Sequence, residues 1–301
     1  MKSAAVRRLK PNAQRAAAWL WSLVRALILI GLCFAILQPL FIKALKGFMS
    51  PNDLYDPTVL LYPRDWNTYF YRHAYDLIDY WGSLWNTLVP SLLSAVIQMF
   101  VCTLVGYGFA RFPFRGKNVL FALVLVTILV PPQLYSTSLY MHFRFFGAFG
   151  LEVSTIDTNV PYIVLSLVGL GFKNGLYIYL LRQFFRGMPK ELEEAAYIDG
   201  YGPFRTFFAV MLPNARNMLV TVLVLSFSWQ WMDVFYATLF HQNVKTLSLA
   251  ILNNITLLED ATQYTILRNT AGLLAMLPLV LLFIVAQKQI ISGIERSGIV
   301  G

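Results

Sequence analysis

The sequence predicts an all-α polytopic membrane protein: six transmembrane helices, both termini cytosolic, and a cytosolic helical hairpin between the fourth and fifth. Three observations predict it. The 301 residues are 57% hydrophobic and only 13% charged, where a soluble domain carries about 25% charged residues. Six segments approach or exceed the roughly 20 mostly apolar residues that a helix needs to cross a hydrocarbon core about 30 Å thick. The basic residues also sort to one side of the resulting topology, as cytosolic loops require.

Residues 1–18 read as a cytosolic tail, with Lys2, Arg7, Arg8, Lys10 and Arg15 and no acid. The first span follows at 19–44. Its apolar run is longer than the roughly 7–15-residue core of a secretory signal, and no small-residue cleavage site follows it, so it reads as a retained helix. Residues 45–83 form an outer loop. The stretch "DWNTYFYRHAYDLIDYWGSLWN" (65–86) is rich in Trp and Tyr, which read as an interfacial aromatic belt.

A five-helix core then occupies 84–290, with spans at 84–110, 119–140, 160–181, 218–240 and 270–287. Residues 291–301 form a cytosolic C-terminal tail. With the N-terminus inside, the inner segments hold fifteen basic residues against five acids, and the outer segments seven against nine. Topology therefore accounts for the formal net charge of +9. The bilayer is the expected charged surface, and no nucleic-acid partner is needed.

Catalytic patterns are missing. There is no G-x-S-x-G or H-E-x-x-H, and "GLGFKNG" (169–175) lacks the order of a phosphate-cradling loop. Gly171 and Gly175 instead have the small-xxx-small spacing that lets membrane helices approach closely. His73, His142 and His241 show no ligand spacing, so no metal is expected. Cys33 and Cys102 both fall inside spans, which argues against a disulfide framework. The chain is expected to bind no cofactor and not to hydrolyse ATP by itself.

The hairpin "PKELEEAAYIDGYGPFRTFFAVMLP" (189–213) breaks the apolar pattern. Pro189 suits a first helical turn, and Glu191, Glu193 and Glu194 place negative charge near the positive end of the helix dipole. Leu192, Ala195, Ala196 and Asp199 share one face at i, i+3, i+4, i+7. Gly200 can take the left-handed conformation that ends a helix. Gly202-Pro203 restarts one, and Phe204, Phe207, Phe208 and Met211 follow at helical spacing. An aromatic stripe with acids close by fits a protein partner better than the Lys/Arg-rich face of a helix lying on lipid.

Glu194-Ala195-Ala196, three residues, Gly200, nine residues and Val210-Met211-Leu212-Pro213 resemble the EAA loop of bacterial ABC importer permeases, with Val for the usual Ile. The segments 106–118, 130–140, 180–202 and 291–301 resemble the sugar-importing, maltose-type branch, in order over most of 65–301. That resemblance implies a permease subunit of the bacterial or archaeal cytoplasmic membrane. It implies a second, different permease, two cytosolic ATPase subunits that use ATP and Mg, and an extracytoplasmic solute-binding protein. Glu194, Ala195, Ala196, Asp199, Gly200, Leu212 and Pro213 would form the ATPase dock, with Phe204, Phe207 and Phe208 as anchors.

Polar side chains at membrane depth face protein or a wet path, and here they are Gln98, Lys173, Asn174, Gln230 and Asp233. With Trp229 they are the substrate-path candidates, and a sugar suits them because it presents hydroxyls and flat apolar faces. Asp233 could equally be a structural pair with a neighbouring cation. The fifth span reads "SWQWMDVFYATLF" (228–240), where the family commonly carries a Trp-Asn-acid-Phe-like stretch. An ABC permease for polyamine or phosphonate is the alternative cargo reading. An ion-driven secondary transporter would require repeats and discontinuous helices in matching halves.

Overall fold

The computed structural model describes residues 11–148, 151–255 and 260–298. Lys2, Arg7, Arg8 and Lys10 of the basic tail lie outside the described residues. Helix dominates, and the order is α1 (Pro11–Lys46), α2 (Pro51–Tyr55), α3 (Tyr69–Leu77), α4 (Tyr80–Arg111), α5 (Lys117–Leu129), α6 (Ser136–Arg144), α7 (Val160–Leu167) and α8 (Asn174–Gly187). Then come α9 (Glu191–Ile198), α10 (Pro203–Thr206), α11 (Leu212–Asn214), α12 (Arg216–Trp231), α13 (Phe235–Phe240), α14 (Leu247–Asn254) and α15 (Ala261–Gly298). A two-stranded antiparallel ribbon, β1 (Phe146–Ala148) and β2 (Leu151–Val153), follows α6.

Two compact units divide the chain. The first comprises Met1–Ala74 and Glu259–Thr270. Here α1 carries exposed apolar side chains along its length, including Trp19, Leu27, Ile30, Phe34 and Phe41, as expected of a helix solvated by lipid. Ser50 caps α2 by accepting the Asp53 amide at 3.1 Å. The buried Asp53 carboxylate accepts the Arg64 and Asp65 amides at 2.9 and 3.0 Å, which folds the segment after α1 back onto itself.

The second unit, Tyr75–Leu258 and Ala271–Gly301, is built around α4. Against it pack α8, α12 and α7. Ser83, Thr87, Ser91, Ser94, Ala95, Gln98, Cys102 and Gly106 form its buried stripe. Small side chains at three- and four-residue spacing let neighbouring backbones come close. Thr87 and Thr103 return their hydroxyls to the carbonyls of Ser83 and Met99. At the α4 end that carries Tyr107 and Arg111, Phe109, Phe121, Tyr177, Leu181, Phe185, Phe207 and Met211 join one apolar cluster.

Among the described residues, three helices are long and apolar enough to cross a membrane unbroken, lying within α1, α4 and α15. The expected spans 119–140, 160–181 and 218–240 are interrupted, and the first two breaks have a cause in the chain. Pro131-Pro132 removes two amide donors, and the axis bends by 94° between α5 and the segment ending in α6. The run 160–181 stops at Val168, where the Leu170 amide reaches back to the Leu165 carbonyl at 2.9 Å around Gly169 at φ +75°. Two glycines in "GLG" make that turn easy, and periodicity alone did not reveal it. Between α12 and α13 the residues Met232–Val234 leave the helix. Gly171 and Gly175 do serve packing: added methyls would meet the Gln98 amide at the first and Val124 O, 2.9 Å away, at the second. The C-terminal tail predicted to begin at residue 291 continues α15 to Gly298.

Candidate functional site

The hairpin at 189–213 forms, with its local details shifted. Met188 is extended (ψ 141°), Lys190 caps, and α9 starts at Glu191, so Pro189 precedes the helix and does not open it. The helix ends as Gly200 was expected to end it. Gly200 sits at φ +80°, its amide donates to Tyr197 O at 3.0 Å, and the Tyr201 amide donates to Ala196 O at 2.9 Å. That pair of bonds is a Schellman cap, which needs a left-handed residue. Pro203 then opens α10.

The faces of α9 are not those of the 192/195/196/199 stripe. Glu193 and Ala196, three apart, turn inward, while Glu194, Ala195 and Asp199 face out and Leu192 is half-buried. Ile198 is 86% exposed and Tyr197 is exposed beside it. The aromatic stripe also divides. Phe204 is 81% exposed and Phe208 is exposed, whereas Phe207 is only 4% exposed. The Phe207 ring lies 4.8 Å from that of Tyr107. Phe207 opens a π-helical turn that runs to Met211. Leu212 is half-buried and Pro213 exposed. A bend of 76° then leads from the hairpin into α12.

The result is an exposed apolar surface of Tyr197, Ile198, Phe204 and Phe208, flanked by Glu194 and Asp199. Large apolar patches rimmed by polar groups mark interaction sites. Nearby, Arg182 lies over the Phe121 ring at 3.8 Å. Partial burial and the charges of Arg182 and Arg186 hold the Lys117 ammonium below its usual pKa.

Sequence reasoning missed what anchors the hairpin from below. Tyr107 Oη donates to Glu193 Oε1 at 2.6 Å, and Arg111 Nε stands 3.3 Å from Glu193 Oε2. The available signal was the i, i+4 spacing of Tyr107 and Arg111 at the end of an apolar run, with an acid three residues before Ala196.

The polar interior residues fall into two groups. In the first, Gln98 donates to Phe172 O at 3.3 Å and is hydrogen-bonded to Ser226. The Asn174 side chain is buried with neither amide atom bonded. Lys173, left-handed at φ +63°, holds its ammonium 4.9 Å from the Trp229 ring and 5.4 Å from that of Phe172. In the second group, Gln230 and Asp233 line a small cavity with Thr87, Ser91, Tyr162, His241 and Thr246. Asp233 Oδ2 accepts the Ala237 amide at 3.0 Å, at the start of α13. No cation pairs with it among the described residues, and this bond ties its carboxylate to the first turn of α13. No cluster of three metal-ligating side chains occurs among the described residues.

Residues 102–296 match the family model described as "Binding-protein-dependent transport system inner membrane component". A probable ABC transporter permease protein of Pyrococcus horikoshii is 32% identical over 216 residues, covering 69% of this chain and 71% of that protein. The maltose/maltodextrin transport system permease protein MalG of Photorhabdus laumondii is 30% identical over 225 residues, covering 72% of each. The maltodextrin transport system permease protein MdxG of Bacillus subtilis is 27% identical over 275 residues, covering 91% of this chain and 95% of that one. The fold is similar to a chain in the crystal structure of a bacterial ABC transporter involved in the import of the acidic polysaccharide alginate. The TM-score is 0.71 at 19% identity, over 90% of this chain and 97% of that one.

Proposed function

The chain belongs to the family of binding-protein-dependent transport system inner membrane components, and from that membership we propose that it is the permease subunit of an ABC importer for a sugar or oligosaccharide. It carries out no reaction of its own. The relatives named for maltodextrin support the sugar reading over polyamine or phosphonate, and family membership disfavours an ion-driven transporter. The single observation that carries the coupling role is the exposed Tyr197–Ile198–Phe204–Phe208 surface beside Glu194.

In this reading two cytosolic ATPases bind ATP and Mg, and each permease subunit offers its hairpin to one of them. Closure of the ATPase pair rocks the two permeases between inward-open and outward-open states. A solute-binding protein delivers cargo outside. Six crossings with both ends inside follow if α5–α6, α7–α8 and α12–α13 each count as one broken crossing, which the charge distribution supports. Glu194, Ala195, Asp199, Phe204 and Phe208 face the ATPase. Ala196, Gly200, Leu212 and Pro213 shape the hairpin, and Phe207 supports it from within.

Reconstituted alone in lipid, the chain is expected neither to bind nor to hydrolyse ATP, with turnover appearing only when ATPase and partner permease are added. Hydrolysis by a preparation free of ATPase subunits overturns this. The cargo reading is tested by isolating the binding protein made with this chain and identifying its ligand by mass spectrometry.

Along the proposed path, Trp229, Lys173 and Asn174 form one wall, with Gln98 behind them, and Gln230 and Asp233 line the cavity beyond. Asp233→Ala removes the cap of α13 and should destabilise the protein by about 1 kcal/mol. Asp233→Asn retains an acceptor for the Ala237 amide, so its melting temperature and uptake should stay close to wild type. If Asn damages uptake as much as Ala, the charge itself acts, and a cationic cargo gains ground.

A further inference from the structure

Glu193 is a buried acid on a helix that otherwise turns its acids outward. Both its oxygens are engaged, and both partners belong to α4. Tyr107 Oη donates to one at 2.6 Å, and Arg111 Nε is 3.3 Å from the other. Arg111 also donates from Nη2 to Met188 O at 2.8 Å, so one guanidinium holds the entry to the hairpin and its first turn. Tyr107 in turn packs on Phe207 at 4.8 Å and Phe185 at 5.3 Å. The last turn of α4 thus touches both arms of the hairpin and the end of α8.

Chain connectivity alone makes a poor lever here. The hairpin leaves α8 through the extended Met188 and Pro189, and enters α12 across the 76° bend at Ala215. Both junctions interrupt the helix, so what ties the hairpin to its neighbours is side-chain contact: Phe207 and Met211 in the apolar cluster, and the polar contacts of Glu193. Apolar contacts fix little direction, whereas the Tyr107 hydrogen bond does, and the Arg111 ion pair, whose Nε makes no hydrogen bond, adds attraction at the same buried carboxylate. The helix so gripped is the one against which α7, α8 and α12 all pack.

We propose that Tyr107, Arg111 and Glu193 form a coupling clamp, three positioning residues through which movement of the docked hairpin is delivered to α4. The clamp rests on the reading of the hairpin as an ATPase dock. Glu194 faces the ATPase and Glu193 faces the membrane domain: neighbouring acids at opposite ends of one lever.

The test uses the whole importer in proteoliposomes with its ATPase, partner permease and binding protein. Sugar uptake and ATP hydrolysis are measured together for Tyr107→Phe and Glu193→Gln. Both variants should retain the ATPase through purification and continue to hydrolyse ATP. Uptake per ATP should fall by about tenfold in Glu193→Gln, within the range that coupling free energies span, and by less in Tyr107→Phe. An unchanged ratio in both variants overturns the clamp while leaving the dock intact. Loss of the ATPase from Glu193→Gln also overturns it, since Glu193 would then belong to the docking surface. Should Glu193→Gln fail to fold, Tyr107→Phe, which removes one oxygen, decides the matter alone. Failure of the dock reading shows in the wild type, which would purify without ATPase, and the clamp falls with it.

Discussion

Uptake is expected to fall to background in Glu194→Lys and in Gly200→Val, with normal amounts of chain in the membrane. The two act differently. Glu194 is exposed on α9, so reversing its charge alters the proposed docking surface and little within the chain. At Gly200 an added methyl has open space around it, and the cost is conformational, because φ is +80°. A β-branched residue is a genuine outlier there, and forcing it costs on the order of 1–3 kcal/mol. The bonds from Gly200 to Tyr197 and from Tyr201 to Ala196 would open, moving Phe204 and Phe208 relative to Ile198. Phe204→Ala, which leaves the backbone alone, should weaken ATPase retention by about thirtyfold, the size of a ~2 kcal/mol hot-spot truncation. Uptake and ATPase co-purification measured on the same membranes decide this. Normal uptake in both Glu194→Lys and Gly200→Val would sink the docking assignment.

The sequence made the hairpin legible because its punctuation is local. Gly200 and Pro203 carry backbone preferences that no tertiary contact needed to override. The faces were harder. A stripe at helical spacing groups Phe204, Phe207 and Phe208 together, but neighbours on a helix stand about 100° apart, and Phe207 turns inward while Phe208 stays exposed. Hydropathy located the apolar runs and could not see the breaks within them. Residues 168–172 keep the apolar character of their surroundings while their two glycines permit a turn, and the left-handed Gly169 and Lys173 show that helix gives way there. The Tyr107–Arg111–Glu193 contact joins residues some eighty positions apart, beyond the reach of any periodicity. Asp233 was legible as a buried acid, while its use as a cap depended on α13 restarting just beyond it.

Gly106→Ala and Gly108→Ala should move stability in opposite directions, although they lie two residues apart on α4. At Gly106 the new methyl would stand 2.8 Å from Leu181 Cβ and 3.1 Å from the Arg182 amide nitrogen. Neither is the far end of a flexible side chain, so α8 itself must move. Overpacking of this kind costs about 1–3 kcal/mol. At Gly108 nothing lies within 4 Å of the same methyl, and alanine in a helix interior is favoured over glycine by roughly 0.5–1 kcal/mol. Thermal unfolding of the two variants in one detergent separates the terms, because propensity is common to both and only contact differs. The displacement should also reach function, since Gly106 sits one residue before Tyr107. Widening the gap between α4 and α8 shifts the Tyr107 hydroxyl against Glu193, now 2.6 Å away. Gly106→Ala should therefore lose uptake as well as stability, and Gly108→Ala neither. Equal stabilities for the two variants would mean that α4 and α8 are farther apart in the membrane than the close approach at Gly106 requires.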